Sequence, residues 1–140
     1  MATAVRIDNL RVWFEPEAGR KQHAVRGVSL SAHKGETLCI VGESGSGKTM
    51  TANALMQLLP YNARIAVDSL TLGDQDLTRL SERQLSAVRG ARMGMVFQNP
   101  TAALNPAFTV GNHLEETWLR HRGGGRHDGA ARFPQGDCRP

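Results

Sequence analysis

Thr37-Leu38-Cys39-Ile40-Val41 runs directly into Gly42-Glu43-Ser44-Gly45-Ser46-Gly47-Lys48-Thr49, and the reading of these thirteen residues decides the fold. The first five are a short apolar run, the pattern of a strand covered on both faces. The next eight fit G-x-x-x-x-G-K-[ST]. Glycines let a backbone curl until successive N–H groups converge on one anion. Residues 48–59 then carry good helix formers, with apolar side chains at 50, 54, 55, 58 and 59 and Pro60 as a stop. A helix over Lys48–Leu59 is therefore predicted, with the positive end of its dipole aimed at the same anion. By chance alone such a pattern arises in about one chain in a few hundred of this length. The strand before it and the helix after it supply the context a phosphate loop needs.

The pattern is the Walker A loop, and the ligand it implies is a nucleoside triphosphate with Mg²⁺; the loop alone does not separate transport ATPases from kinases, GTPases or helicases. Gly42, Glu43, Ser44, Gly45, Ser46 and Gly47 would wrap the phosphates. Lys48 would bring a mobile charge to the β- and γ-phosphates, and the Thr49 hydroxyl can ligate a Mg²⁺ that bridges them.

Working outward, Val5–Phe14 reads as a strand with Leu10, Val12 and Phe14 on one face. Glu15–His23, with Pro16 and Gly19, reads as a loop or hairpin tip. Val28, Leu30 and Ala32 mark a second half-buried strand, and Lys34-Gly35-Glu36 a turn. Downstream, Ile65–Leu72 has mixed β character and Gly73-Asp74 turns it. Ser81-Glu82-Arg83-Gln84 is a capping-box pattern opening a helix to about Arg89. Met93–Phe97 reads as another short apolar strand, residues 100–106 as a loop, and Thr109–Arg122 as a last helix. From Gly123 no periodicity survives, and residues 123–140 are expected to be disordered.

Composition excludes several classes. At 140 residues the chain holds one modest domain. It has no run of about 18 apolar residues to span a bilayer, and Met1–Leu10 lacks the apolar core of a secretory signal. The net charge of +4 is uneven. Residues 1–118 hold 12 Lys/Arg against 11 Asp/Glu, and residues 119–140 hold five Arg against two Asp. No basic stripe with interleaved aromatics precedes residue 119, so nucleic acid is not an expected partner. Cys39 is expected to be a small core residue and Cys138 to lie in the polar tail. The histidines at 23, 33, 113, 121 and 127 show no ligand spacing, Glu115-Glu116 reads as a solvated helix face, and Met93 and Met95 read as core fillers.

A second segment narrows the family. Gly94-Met95-Val96-Phe97-Gln98-Asn99-Pro100 continues through Leu104-Asn105-Pro106 to Thr109-Val110-Gly111. This resembles the Q-loop region of ABC transporter ATP-binding subunits, and within them the oligopeptide, dipeptide and nickel importer subfamily. The segment His23–Leu30, then Gly35-Glu36-Thr37, and the loop Val41–Thr49 are similar to the same subfamily. The likeness covers about residues 5–122.

The resemblance implies an α/β fold, the N-terminal part of a P-loop ABC ATPase domain, with an antiparallel β subdomain and part of a parallel-sheet core. On this division residues 1–122 are a partial ATP-binding domain and 123–140 a tail outside it. It also implies site residues. Gln98 would reach the Mg²⁺ and attacking-water region, since a neutral amide can orient water or complete a metal shell. From the residues alone, Gln98 reads more readily as a polar loop residue after a buried strand. Phe14 matches the position whose ring stacks on adenine; against it stand core packing beside Val12 and Leu10, and Trp13, on the opposite face, as the competing stacker.

The implied partners are integral membrane permease subunits, a second ATP-binding subunit in a head-to-tail dimer and, indirectly, an extracytoplasmic solute-binding protein. The implied place is peripheral, at the cytoplasmic face of the inner membrane. The 140 residues contain no LSGGQ-like signature, no apolar strand ending in Asp-Glu (the Walker B pattern) and no switch histidine. Ile65-Ala66-Val67-Asp68 is discounted as Walker B, because Ser69 follows and the Q-loop comes later. The expectation is a truncated chain, its last residues a shifted frame or gene end, that binds nucleotide with little hydrolysis of its own. Two other readings stay open: a nucleotide-binding remnant without a transport role, and a soluble ABC ATPase acting on nucleic acid or ribosomes.

Overall fold

Strand β1, Thr3–Phe14, is the strip on which the sheet is assembled. In a computed structural model, which describes residues 2–15, 20–99 and 103–122, the chain divides into two compact units, Met1–Leu85 and Ser86–Pro140. The sheet belongs to the first. One edge of β1 pairs antiparallel with β2, Gln22–His33. The other edge pairs antiparallel with β3, Ala63–Ala66, along residues 11–14, and with β4, Ser69–Leu72, along residues 5–8. Strand β5, Gln75–Asp76, adds to β4 after the turn at Gly73. The expected Ile65–Leu72 strand is thus two short strands split around Asp68. The hairpin tip expected over Glu15–His23 gives up Gln22 and His23 to β2, and residues 16–19 lie outside the described residues.

Ile7, Leu10, Val12, Val25, Leu70 and Leu77 are all but fully buried. Each such side chain contributes about 1.5–3 kcal/mol by leaving water. Ile7 and Leu10 are three apart yet share the buried face, which a strict two-residue alternation forbids. The register explains it: Ile7 faces Leu30 and Leu10 faces Val28, so β1 carries an extra residue. Asn9 absorbs the bulge at φ 52°. Its backbone N–H donates to Ser29 Oγ at 2.8 Å and its Nδ2 to Asp68 Oδ2 at 2.9 Å. Asp68 is therefore a clamp on the bulge, which supplies a structural reason for an Asp after Ile65-Ala66-Val67.

Helix α1, Lys48–Leu55, ends four residues before the expected last residue, Leu59. Gln57 turns left-handed at φ 51°, with Leu58 N–H donating to Asn53 O and Gln57 N–H to Ala54 O. That is the paired bonding of a Schellman cap, made here without glycine. Gln57 Nε2 in turn donates to Leu77 O, which ties the helix end to a 3-10 turn, Leu77–Arg79. Asp76 caps that turn, accepting from Thr78 N–H at 2.9 Å and from Thr78 Oγ1 at 2.6 Å. Helix α2, Glu82–Val88, opens on the expected box: Ser81 N–H donates to Gln84 Oε1 and Gln84 N–H to Ser81 Oγ.

The second unit contains α3, Val110–Arg122, whose N-cap is Thr109, accepting from Asn112 N–H at 3.2 Å. Arg120 Nη2 donates to Ser86 Oγ at 2.6 Å. Met93 is buried, as expected of a core filler, and Met95 is half-buried.

Two expected strands are absent. Thr37–Val41 makes no ladder, and Ile40 and Val41 are 50% and 92% exposed. Met93–Phe97 makes only an isolated bridge from Met93 to Arg89, with Val96 92% exposed. Cys39, expected in the core, is exposed. The physical reason is common to all three: a parallel strand needs hydrogen-bonded neighbours, and among the described residues no strand forms a ladder with either run. The tail, 123–140, lies outside the described residues.

Two outcomes are expected. In a Cys138→Ser background, Cys39 should react with a thiol reagent under native conditions nearly as fast as in denaturant; strong protection would show that Thr37–Val41 is a covered strand after all. The second concerns Asp76, whose hydrogen bonds from the Thr78 hydroxyl and N–H, with Arg79 nearby, hold its carboxyl below the usual range. Its folded value is the lower one, so its contribution is full above the ordinary carboxylate range and is lost as pH falls through the folded value. Asp76→Asn should lower the melting temperature at neutral pH, and the gap from wild type should close on acidification.

Candidate functional site

The eight residues Gly42–Thr49 form a curl at the start of α1. Gly45 sits at φ 79° and Gly47 at φ 94°, both left-handed, where glycine costs nothing and other residues are strained. Ser46 N–H donates to Glu43 O at 3.2 Å, closing the turn. The Thr51 N–H and its Oγ1 both donate to Gly47 O, at 2.8 and 3.0 Å, so the helix begins there. The N–H groups of Lys48, Thr49 and Met50 precede that first intrahelical bond and carry the positive end of the helix.

Lys48 folds back over the curl. Its ammonium donates to Gly42 O and Glu43 O, both at 2.6 Å, and to Ser46 Oγ at 3.2 Å. A cation on a flexible stem thus stands at the loop itself, held by neutral oxygens that a phosphate oxygen can replace. Thr49 follows it on the helix with its side chain exposed.

The sheet fixes the loop through backbone. A Cβ on Gly47 would stand 2.5 Å from Ala24 O and 3.3 Å from Val25 Cγ2, both on β2. A Cβ on Gly45 would meet nothing within 4 Å. The same contact orients the aromatics. Val25 pairs with Val12, and Phe14 shares the Val12 face of β1 by the two-residue alternation. Phe14, half-buried, is on the face toward the loop, and Trp13 is on the other.

The outer face of β1 carries a cluster that sequence reading missed. Trp13 pairs with His23 on β2 and with Arg64 on β3. Its Nε1 donates to Glu15 Oε1 at 3.2 Å, the Lys21 ammonium lies 5.3 Å from its ring centre, and the His23 ring is 6.3 Å away. Glu15 also meets Arg64 at 3.4 Å and Lys21 at 3.8 Å. The Trp13 N–H chiefly, then the two cations, hold its carboxyl below the ordinary range. No local pattern announces the group, because Arg64 joins it only through strand pairing.

Gln98 lies in the second unit, exposed, on a bend after the unpaired run. Pro100 and residues 101–102 lie outside the described residues. Asn105 organises the approach to α3: its Oδ1 accepts from Ala107 N–H, and its carbonyl accepts from Phe108 N–H and lies 3.1 Å from His113 Nε2. The Leu104-Asn105-Pro106 motif is thus a side-chain-capped turn ahead of that helix. Among the described residues no three His, Cys, Asp or Glu side chains gather as a metal-holding group. No helix among them is long and apolar enough to cross a membrane.

A glycine curl, a lysine folded over it and a helix that starts at its last glycine define the P-loop class of protein. Residues 25–136 match the ABC transporter family, and the chain belongs to it. Its α/β fold, an antiparallel sheet with three α-helices among the described residues, is that of the N-terminal part of such a domain. It is 46% identical over 123 residues to the dipeptide transport ATP-binding protein DppD of Bacillus subtilis (strain 168), covering 87% of this chain and 36% of that protein. It is 41% identical over 119 residues to the oligopeptide transport ATP-binding protein OppD of the same organism, covering 82% and 32%. It is 43% identical over 128 residues to the glutathione import ATP-binding protein GsiA of Escherichia coli O157:H7, covering 87% and 20%. The chain therefore spans about a third or less of these curated relatives.

The Ala24–Gly47 contact generates a comparison. Gly45→Ala should cost about 1–2 kcal/mol, from its left-handed backbone alone. Gly47→Ala should cost clearly more, because a backbone oxygen must also move. Denaturant midpoints check this, and equal losses would dismiss the close approach.

Proposed function

We propose that this chain is the nucleotide-binding part of an ABC-type importer for peptides or a related small solute, and that Gly42–Thr49 binds the phosphates of ATP. The observation that carries the reading is the Lys48 ammonium held at the curl by three loop oxygens, directly before a helix N-terminus. The donor set suits a triphosphate: glycines that admit close approach, first-turn N–H groups, one mobile cation and one hydroxyl. Lys48 exchanges its carbonyl partners for phosphate oxygens, Gly45 and Gly47 keep the curl open, and Ser44 and Ser46 flank it. Glu43 contributes its backbone. Phe14 offers a flat face to adenine on the side of β1 that faces the loop.

Mg²⁺ suits the loop as companion ion, since Thr49 offers an exposed hydroxyl oxygen, a hard ligand of the kind it takes; Gln98 enters as a second ligand on the family resemblance alone. When bound, the ion neutralises charge across the β- and γ-phosphates. The names of the relatives support dipeptide, oligopeptide or glutathione as the class of cargo, and nickel belongs to the same subfamily resemblance. Permease subunits and a second ATP-binding subunit head to tail are the direct partners, at the cytoplasmic face of the membrane, and an extracytoplasmic binding protein is reached only indirectly, through the permeases. Within these 140 residues no Walker B carboxylates, signature or switch histidine accompany the loop. The chain by itself is thus a binder of nucleotide with negligible turnover, because positioned water and added charge neutralisation drive phosphoryl transfer.

Titration of Mg-ATP into wild type and Lys48→Ala tests the reading. Loss of a charge-assisted phosphate contact should weaken binding at least about tenfold, or 1.4 kcal/mol. Unchanged affinity would dismiss the loop as the ATP site.

A further inference from the structure

Phe14 stands between two residues that are held on the outer face of the sheet. Before it, Trp13 is covered by Lys21 and donates its indole N–H to Glu15. After it, Glu15 bridges to Arg64 on β3 and to Lys21 just ahead of β2, while its own N–H donates to Asn62 O at 3.4 Å. One carboxylate thus joins three neighbouring stretches of chain at the end of β1. Side chains alternate along a strand, so fixing residues 13 and 15 outward fixes residue 14 toward the loop face. Rotating the strand end would break the indole bond and both ion pairs together.

We propose that Glu15 is a positioning residue for nucleotide binding: by holding Trp13, Lys21 and Arg64 on the outer face, it presents the Phe14 ring to adenine. The proposal rests on the reading of Gly42–Thr49 as an ATP site with Phe14 as the stacking residue. Glu15 itself touches no nucleotide. The cations are more than half exposed, so each pair alone is weak. The effect comes from the shared carboxylate, and it is confined to the base.

Inorganic tripolyphosphate separates base from phosphate, because it fills the loop and carries no ring. Calorimetric titration of the full chain with ATP and with tripolyphosphate, both with Mg²⁺, is the test. Glu15→Ala should weaken ATP about three- to tenfold, the scale of one aromatic contact, and leave tripolyphosphate within about twofold. Phe14→Ala should do the same, and the double variant should fall no further than Phe14→Ala alone. Glu15→Gln keeps an oxygen for the indole but loses both ion pairs, and should lie between. If Glu15→Ala does not fold by circular dichroism, Glu15→Gln carries the comparison. Equal losses for both ligands, no loss for either, or additive losses with Phe14→Ala would overturn the proposal. If wild type binds neither ligand, or Lys48→Ala binds both as wild type does, the loop reading has failed and the proposal falls with it.

Discussion

The carbonyl of Ala24 comes so near the α-carbon of Gly47 that no side chain fits between them. That contact places the phosphate loop on the sheet. It joins a strand that is well paired to a loop whose own preceding run is not paired at all. Around it, Val25 covers Gly47 from β2, Val12 backs Val25 from β1, and Phe14 follows on the same face. The loop is therefore held from the side by the antiparallel hairpin.

The loop itself was legible because its chemistry is local. Glycine spacing, Lys48 and Thr49 specify a curl and a helix start without reference to anything distant. The capping box at Ser81 and Gln84 was legible for the same reason, and so was the last helix, expected from Thr109 and found from Val110. What escaped reading was set by contacts across strands. The Asn9 bulge depends on Ser29 and Asp68, and the group around Glu15 needs Arg64 from another strand. The end of α1 escaped too, since Gln57 does the work usually given to glycine and Pro60 is a plausible stop.

The two apolar runs teach a different lesson. Thr37–Val41 and Met93–Phe97 have the composition of strands buried on both faces, and here neither has a ladder. Composition sets what a segment can become, and hydrogen-bonding neighbours decide whether it does so. An exposed Val41 directly before Gly42 means that apolar area and unpaired backbone are offered to whatever strand can lie alongside. The phosphate loop and the sheet edge that should support it are thus separable pieces of structure.

The extra residue at Asn9 has a consequence for how the two aromatics of β1 are addressed. Counting by twos from Ile7 on the buried side would put Trp13 inward and Phe14 outward; the bulge adds one step and exchanges them. Chain length between Ile7 and Leu10, more than the identity of either ring, selects which aromatic looks toward the nucleotide loop. In that sense a single supernumerary peptide unit acts as the phase setting of the strand.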